Sequence, residues 1–270
     1  MKKFIVFFIL FLCGCGIENI VETEQINAPS GLVAYPKDSK IKIKFYSNNK
    51  EEKFSGFNIY ISKSSSLRSQ PSLTPVKNPI NGGLPTISAS PSDIDPNIPI
   101  ITELKFDAEN NYIENGITYF LIVKSFSIRG IESLPSNEVS VTPRIENTNG
   151  VILYTNEGFN FKNFSKSAPY DFIFTIQNTP VKKAFITGKN ESKIISKGFY
   201  LNWEEINQAD TTGYINQNIP IEINEKYVIL FKTSDNHYAK IWIVNLNLDS
   251  NNPYLKFIWA YQTVPNNTSI

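Results

Sequence analysis

The chain of 270 residues holds one histidine, His237, two cysteines, Cys13 and Cys15, and one methionine, Met1. That inventory bounds the chemistry. A lone imidazole serves as one base or one ligand, whereas His-rich metal centres and paired axial ligation need a second strong donor. No Gly-x-Ser-x-Gly elbow and no phosphate-cradling glycine loop is present. Glu204 and Glu205 are neighbours, and neighbours on a helix point in different directions, so they do not form an acid–base pair. The sequence therefore nominates no catalytic residue and no metal site, and the expectation is a chain that is not an enzyme. Three residues remain as ligand-binding candidates. His237 sits in a turn sequence, Ser234-Asp235-Asn236-His237, and Trp259 and Tyr261 alternate with Phe257 along one strand face. Such an aromatic stripe can stack on a sugar or a flat ligand, and the same spacing equally makes a core face.

Both cysteines close an apolar run. Lys2 and Lys3 precede nine apolar residues, 4–12, which as a helix would measure roughly 14 Å, about half of a hydrocarbon core. A basic flank and a short apolar run read as a secretory signal rather than a span. Leu12-Cys13-Gly14-Cys15 resembles the lipobox of bacterial lipoproteins, with Leu12 at −3, Gly14 at −1 and Cys15 as the acylated residue. Bulky Leu12 before Cys13 argues against Cys13. The resemblance implies a signal peptide at 1–14, cleavage before Cys15, and membrane attachment through lipid on Cys15. Each buried acyl CH₂ contributes about 0.8 kcal/mol, so two or three chains anchor durably where one does not. The mature chain then has no disulfide and no spare thiol. Residue 16 is glycine rather than aspartate, so the familiar inner-membrane retention signal is missing, and an outer-membrane or surface location in the cell envelope is expected.

Stability must then come from packing. With 41% hydrophobic and 13% aromatic residues the chain can bury sizeable cores, and its length suits about two domains. Losing Lys2 and Lys3 leaves 24 basic against 25 acidic residues, a balance without a basic cluster that argues against nucleic acid as partner.

The elements that position the candidates read as β throughout. Residues 15–27 form a polar tether. Lys40-Ile41-Lys42-Ile43-Lys44-Phe45 alternates charge with apolar side chains, and Phe57, Ile59 and Ile61 share a face with Tyr60 opposite. Pro29-Ser30-Gly31-Leu32, the strand ending at Phe45, Gly56-Phe57-Asn58-Ile59-Tyr60-Ile61, Gly116-Ile117-Thr118-Tyr119-Phe120 and Glu132-Ser133-Leu134-Pro135-Ser136-Asn137-Glu138-Val139 together resemble a fibronectin type III domain over 28–144. The resemblance implies an immunoglobulin-like sandwich with Phe45 in the usual core tryptophan position and Tyr119 as a tyrosine corner. An insertion at 62–99, rich in serine and proline, departs from the family. It reads as a solvated excursion or as a partner-binding loop, with little regular sheet. The loop equivalent to the integrin-binding one reads Ser127-Ile128-Arg129-Gly130-Ile131-Glu132 and lacks Arg-Gly-Asp.

Residues 145–150, with Asn147, Asn149 and Gly150, read as a linker. Beyond it, 151–270 reads as a second, largely antiparallel β domain, with one helical turn at 201–209 carrying Trp203, Ile206 and Ala209 inward. Tyr170-Asp171-Phe172-Ile173-Phe174, Tyr227 through Lys232-Thr233-Ser234-Asp235-Asn236-His237-Tyr238-Ala239-Lys240-Ile241, and Leu255-Lys256-Phe257-Ile258-Trp259-Ala260-Tyr261-Gln262 resemble the HmuY-like family of lipid-anchored haem-binding proteins. In that family's best-known branch haem is held by paired histidines, which this chain does not have, so bis-histidine ligation is not carried over. The expectation is an all-β, lipid-anchored binding protein without cofactor, recognising an extracytoplasmic protein, glycan or small hydrophobic ligand, with the outer domain as the favoured site. Haem or iron acquisition through the second domain is the alternative, and an extracellular hydrolase with the first domain as spacer is a third.

Overall fold

The computed structural model describes residues 25–270 except 71, 179 and 250. The expected signal at 1–14, the tether up to residue 24 and Cys15, the expected lipidation residue, lie outside the described residues. What is described is built almost wholly of antiparallel strands, arranged as two sandwiches.

The first sandwich is immunoglobulin-like. One sheet has the order β1-β2-β5, with β1 Ser30–Lys37, β2 Lys40–Tyr46 and β5 Ile100–Leu104. The other has the order β4-β3-β6-β7, with β3 Phe54–Ser62, β4 Ile87–Ser88, β6 Tyr119–Ser127 and β7 Val139–Val141. The alternation seen in β2 is kept, for Ile41, Ile43 and Phe45 are fully buried between lysines. Phe45 meets Phe57 edge to face at 5.0 Å, an arrangement that suits the ring quadrupoles. Tyr119 is buried, and its hydroxyl accepts the Glu114 N–H at 3.1 Å, fixing the turn that leads into β6.

The insertion does more than cross solvent. Its short 3₁₀ turn, Leu67–Ser69, buries Leu67 against Tyr60 and Ile122 on the outer face of the second sheet. Glu138 accepts the Ser66 and Leu67 N–H groups at 3.0 and 2.6 Å, satisfying donors that the turn leaves open. Val76 N–H then bonds Ile59 C=O at 2.8 Å, so the arm returns to the edge of β3 before β4 forms.

The second sandwich packs a five-stranded sheet, β12-β14-β15-β16-β8, on a four-stranded one, β13-β11-β10-β9. Its strands are β8 Ile145–Tyr154, β9 Gly158–Phe159, β10 Phe172–Gln177, β11 Lys183–Gly188, β12 Lys193–Phe199, β13 Pro220–Ile223, β14 Tyr227–Lys232, β15 Tyr238–Asn247 and β16 Tyr254–Tyr261. Between the sheets lie Phe159, Phe161, Phe172, Phe174, Phe231 and Phe257. One sequence expectation is corrected here and another is narrowed. Residues 145–150 are not a free linker but the first half of β8, where Ile145 pairs with Tyr261 and Asn147 with Trp259. Asn147 Oδ1 accepts the Asn149 and Gly150 N–H groups across a bulge, which is why the stretch reads as a turn. At 201–209 only Trp203–Glu205 is helical, as a single 3₁₀ turn capped by Asn202. The backbone beyond it pairs with the end of the chain instead, Ala209 N–H to Thr268 C=O and Ile270 N–H to Asn207 C=O, so a helix cannot propagate.

Because β8 starts so soon after β7, the sandwiches meet closely, and charge is buried where they do. Trp203, packed on Ile258 and Ala260, carries the cations Lys240, Lys37 and Arg144 near its ring at 4.5, 5.4 and 5.7 Å. Lys240 Nζ donates to the Trp203 carbonyl at 3.0 Å and to the Ile206 carbonyl. Glu204 binds Lys37 at 2.7 Å and Lys42 at 2.6 Å, joining the first sandwich to the second. Arg144 is fully buried and donates to the Pro36 carbonyl, with Glu146 at 3.4 Å. Gln262 Nε2 adds a neutral tie, donating to the Thr142 carbonyl at 3.2 Å.

Candidate functional site

The three candidates from the sequence come together at one end of the second sandwich, but in roles that leave little surface for a ligand. His237 closes the β14–β15 hairpin, where Thr233 N–H bonds the His237 carbonyl at 2.9 Å. Its Nδ1 lies 3.0 Å from Asp235 Oδ1. Its Nε2 lies 3.1 Å from the Thr263 carbonyl. Both nitrogens are thus turned into the protein, and the ring packs 5.4 Å from Tyr261. Trp259 is 3% exposed and stacked on Phe164 at 5.0 Å. Tyr261 is 5% exposed and lies parallel to Phe161. The stripe is core, as its spacing allowed.

Beside Tyr261 lies a polar cleft of about 260 Å³, lined by Asn160, Asp171, Thr233 and Asp235 among others. Burial pushes the Asp171 carboxyl up, only partly offset by the Phe161 N–H and the Ser192 hydroxyl that it accepts. Asp235 goes the other way. Burial raises it, but the Thr233 hydroxyl and His237 more than compensate, and its carboxyl stays below the usual range. The two carboxylates are committed to local partners, and among the described residues no group of three or more His, Cys, Asp or Glu could hold a metal ion.

A larger cavity lies in the first sandwich, about 600 Å³, between the returning arm of the insertion and the edge of β5. Val76, Thr86 and Ile87 form one wall, and Thr102, Leu104 and Phe106 the other. The geometry follows from the sheet order. β5 ends one sheet and β4 ends the other, so the seam between these edges is open. An edge strand presents unpaired N–H and C=O groups along its length, here flanked by apolar side chains. Lys77, Glu103, Lys105 and Asp107 supply both signs of charge at the margin. Sequence reading raised the insertion as a partner-binding loop but did not reach Phe106 or Asp107. The available signal was the polar run Asp107-Ala108-Glu109-Asn110-Asn111, where Asp107 Oδ1 accepts the Glu109 and Asn111 N–H groups and turns the chain.

No family model matches the chain, and no curated protein matches it.

Proposed function

We propose that this chain is a lipid-anchored, non-catalytic binding protein of the cell envelope, held by acyl chains on Cys15, whose ligand is an extended segment of a partner protein seated in the first-sandwich groove. The observation that carries the reading is the open seam of about 600 Å³ between the insertion and the free edge of β5. Added strands gain affinity from main-chain hydrogen bonds to an exposed edge and specificity from alternate side-chain pockets. Leu104, Ile87 and Val76 offer such apolar pockets, while the insertion, packed through Leu67, provides a fixed wall. The second sandwich fits the role less well than the sequence suggested, because Trp259 and Tyr261 are committed to its core and His237 to its hairpin.

Selection from a displayed random-peptide library tests this. Peptides enriched on the wild-type protein should bind saturably and should lose binding to an Ala108→Trp variant, whose indole would occupy the groove from its half-buried loop. Peptides that bind both proteins equally, or a selection that enriches none, would reject the groove as the site.

A further inference from the structure

The loop joining β6 to β7 exposes three large apolar side chains within seven residues, Ile128, Ile131 and Leu134, at 71%, 38% and 78%. Single exposed apolar residues are ordinary, but a cluster on one loop marks a contact surface. The loop cannot tuck them away. Ser127 N–H bonds the Ile131 carbonyl, Gly130 N–H bonds the Ser127 carbonyl, and Ser133 N–H bonds the Ser125 carbonyl, each at 3.0 Å. Ser125 and Ser127 are themselves buried, so the backbone is fixed and the side chains must project.

The place of this loop in the sandwich says what it meets. Ile128 N–H bonds the Lys53 carbonyl at 2.9 Å, next to the β2–β3 loop. In that loop Asn49 accepts the Ser125 hydroxyl at 2.9 Å and donates to the Asn27 carbonyl at 2.9 Å, while Asn27 N–H bonds Glu51. The described chain therefore begins at the same pole as the apolar loop. The second sandwich joins the opposite pole, where Lys37 and Lys40 close the β1–β2 hairpin and Lys37 pairs with Glu204. Gln25 lies ten residues beyond Cys15, and ten residues span at most about 35 Å even when fully extended. An anchor on Cys15 therefore keeps this pole within about 35 Å of the bilayer.

We propose that Ile128, Ile131 and Leu134 form a membrane-contact surface that seats the first sandwich on the bilayer interface and orients the second sandwich away from it. The inference rests on the lipid-anchor reading of Cys15. Apolar side chains insert at the depth of headgroups and upper acyl chains, and Arg129 between them is of a type that keeps its head in the polar layer while its stem lies in the apolar one. The loop's own charges, Arg129 and Glu132, cancel, so insertion rather than charge should drive the contact.

The test uses the full chain, processed and lipidated in cells, carrying either Leu134→Cys or Phe199→Cys, with Ile128→Cys as a second probe of the loop. Phe199 is 58% exposed and lies in the second sandwich. Each added thiol is labelled with an environment-sensitive fluorophore, the Cys15 sulfur being acylated, and the protein is reconstituted into phosphatidylcholine vesicles with or without a shallow spin-labelled quencher lipid. Labels at 134 and 128 should shift to shorter wavelength and lose emission to the quencher, whereas the label at 199 should do neither. Floating protein with all three labels unquenched would overturn the proposal alone, as would equal quenching at all sites. A blue shift at 134 that grows with protein concentration but escapes the quencher would assign the patch to a second copy and overturn it too. Protein that fails to float with vesicles removes the anchor and the proposal with it.

Discussion

Replacing Lys240 by methionine removes an amine that the fold places almost wholly out of water. Lys240 is 1% exposed, and burial, followed by the charge of Arg144, holds its ammonium well below the ordinary lysine value of 10.5 despite the opposing charges of Glu146 and Glu204. The sign of the linkage follows. As pH falls below 10.5 the unfolded chain takes up a proton that the native state refuses, so native stability declines until the lowered native value is passed. Stability therefore rises with pH inside that window, by about 1.4 kcal/mol per pH unit for one proton. Methionine has no such proton. Urea midpoints at pH 9 and pH 10, just under the ordinary lysine value, should then show the wild type gaining up to about 1.4 kcal/mol more than Lys240→Met over the same step. At fixed pH the substitution has two opposing parts. It removes a buried polar amine, whose desolvation costs about 1–3 kcal/mol, and deprives the Trp203 and Ile206 carbonyls of a donor, costing about 1–3 kcal/mol each. The slope, not the absolute change, is the clean reading. Parallel pH dependences in the two proteins would refute the claim that burial holds the Lys240 ammonium low.

Other outcomes follow from the same contacts. Trp203→Ala should destabilise by about 3–5 kcal/mol in urea melts, since it empties a buried site and strips three cations of their ring. Tyr119→Phe should cost about 1–2 kcal/mol by leaving the Glu114 N–H without its acceptor, a change that the same melts resolve. Burial raises the Glu132 and Glu204 carboxyls, but hydrogen bonds, from Asn58, Tyr60 and Lys124 to the first and from Lys37 and Lys42 to the second, hold both below 4.5. Their contribution is complete above that value and lost as pH falls through the lowered native ones, so acid unfolding of Glu204→Gln should be less steep than that of wild type. Haem titrated into the full protein should give no saturable Soret shift that depends on His237, because both ring nitrogens face the protein; a shift abolished by His237→Ala would revive haem binding in the second sandwich.

How much of this was legible in the sequence depended on whether a residue's role was local. Ile41, Ile43 and Phe45 alternate with lysines and are buried as that period dictates, whereas Tyr119 is singled out by the family resemblance of its segment and not by any period, and its hydroxyl accepts a bond from Glu114, only five residues back. Residues 145–150 misled because their asparagines and glycine serve a bulge inside β8 rather than a break between domains. Lys240 was opaque for a different reason. In the alternation of β15 it belongs to an outward face, and only the covering segment around Trp203 and Ile206 turns that face into interior. The groove was legible only in part, since Val76 and Ile87 lie in an insertion whose composition stands out, whereas Thr102 and Leu104 look like any strand. Their opposition arises from β4 and β5 each ending its own sheet, a property of topology that no local pattern records.

The claim that binding takes place in the first sandwich is tested most directly by amide hydrogen exchange on the full protein with and without a saturating selected peptide. Slowed exchange should concentrate at 100–104 and 76–88, the two walls of the groove. Slowing instead at 233–237 and 259–263, with the groove unchanged, would place recognition in the second sandwich and contradict the account.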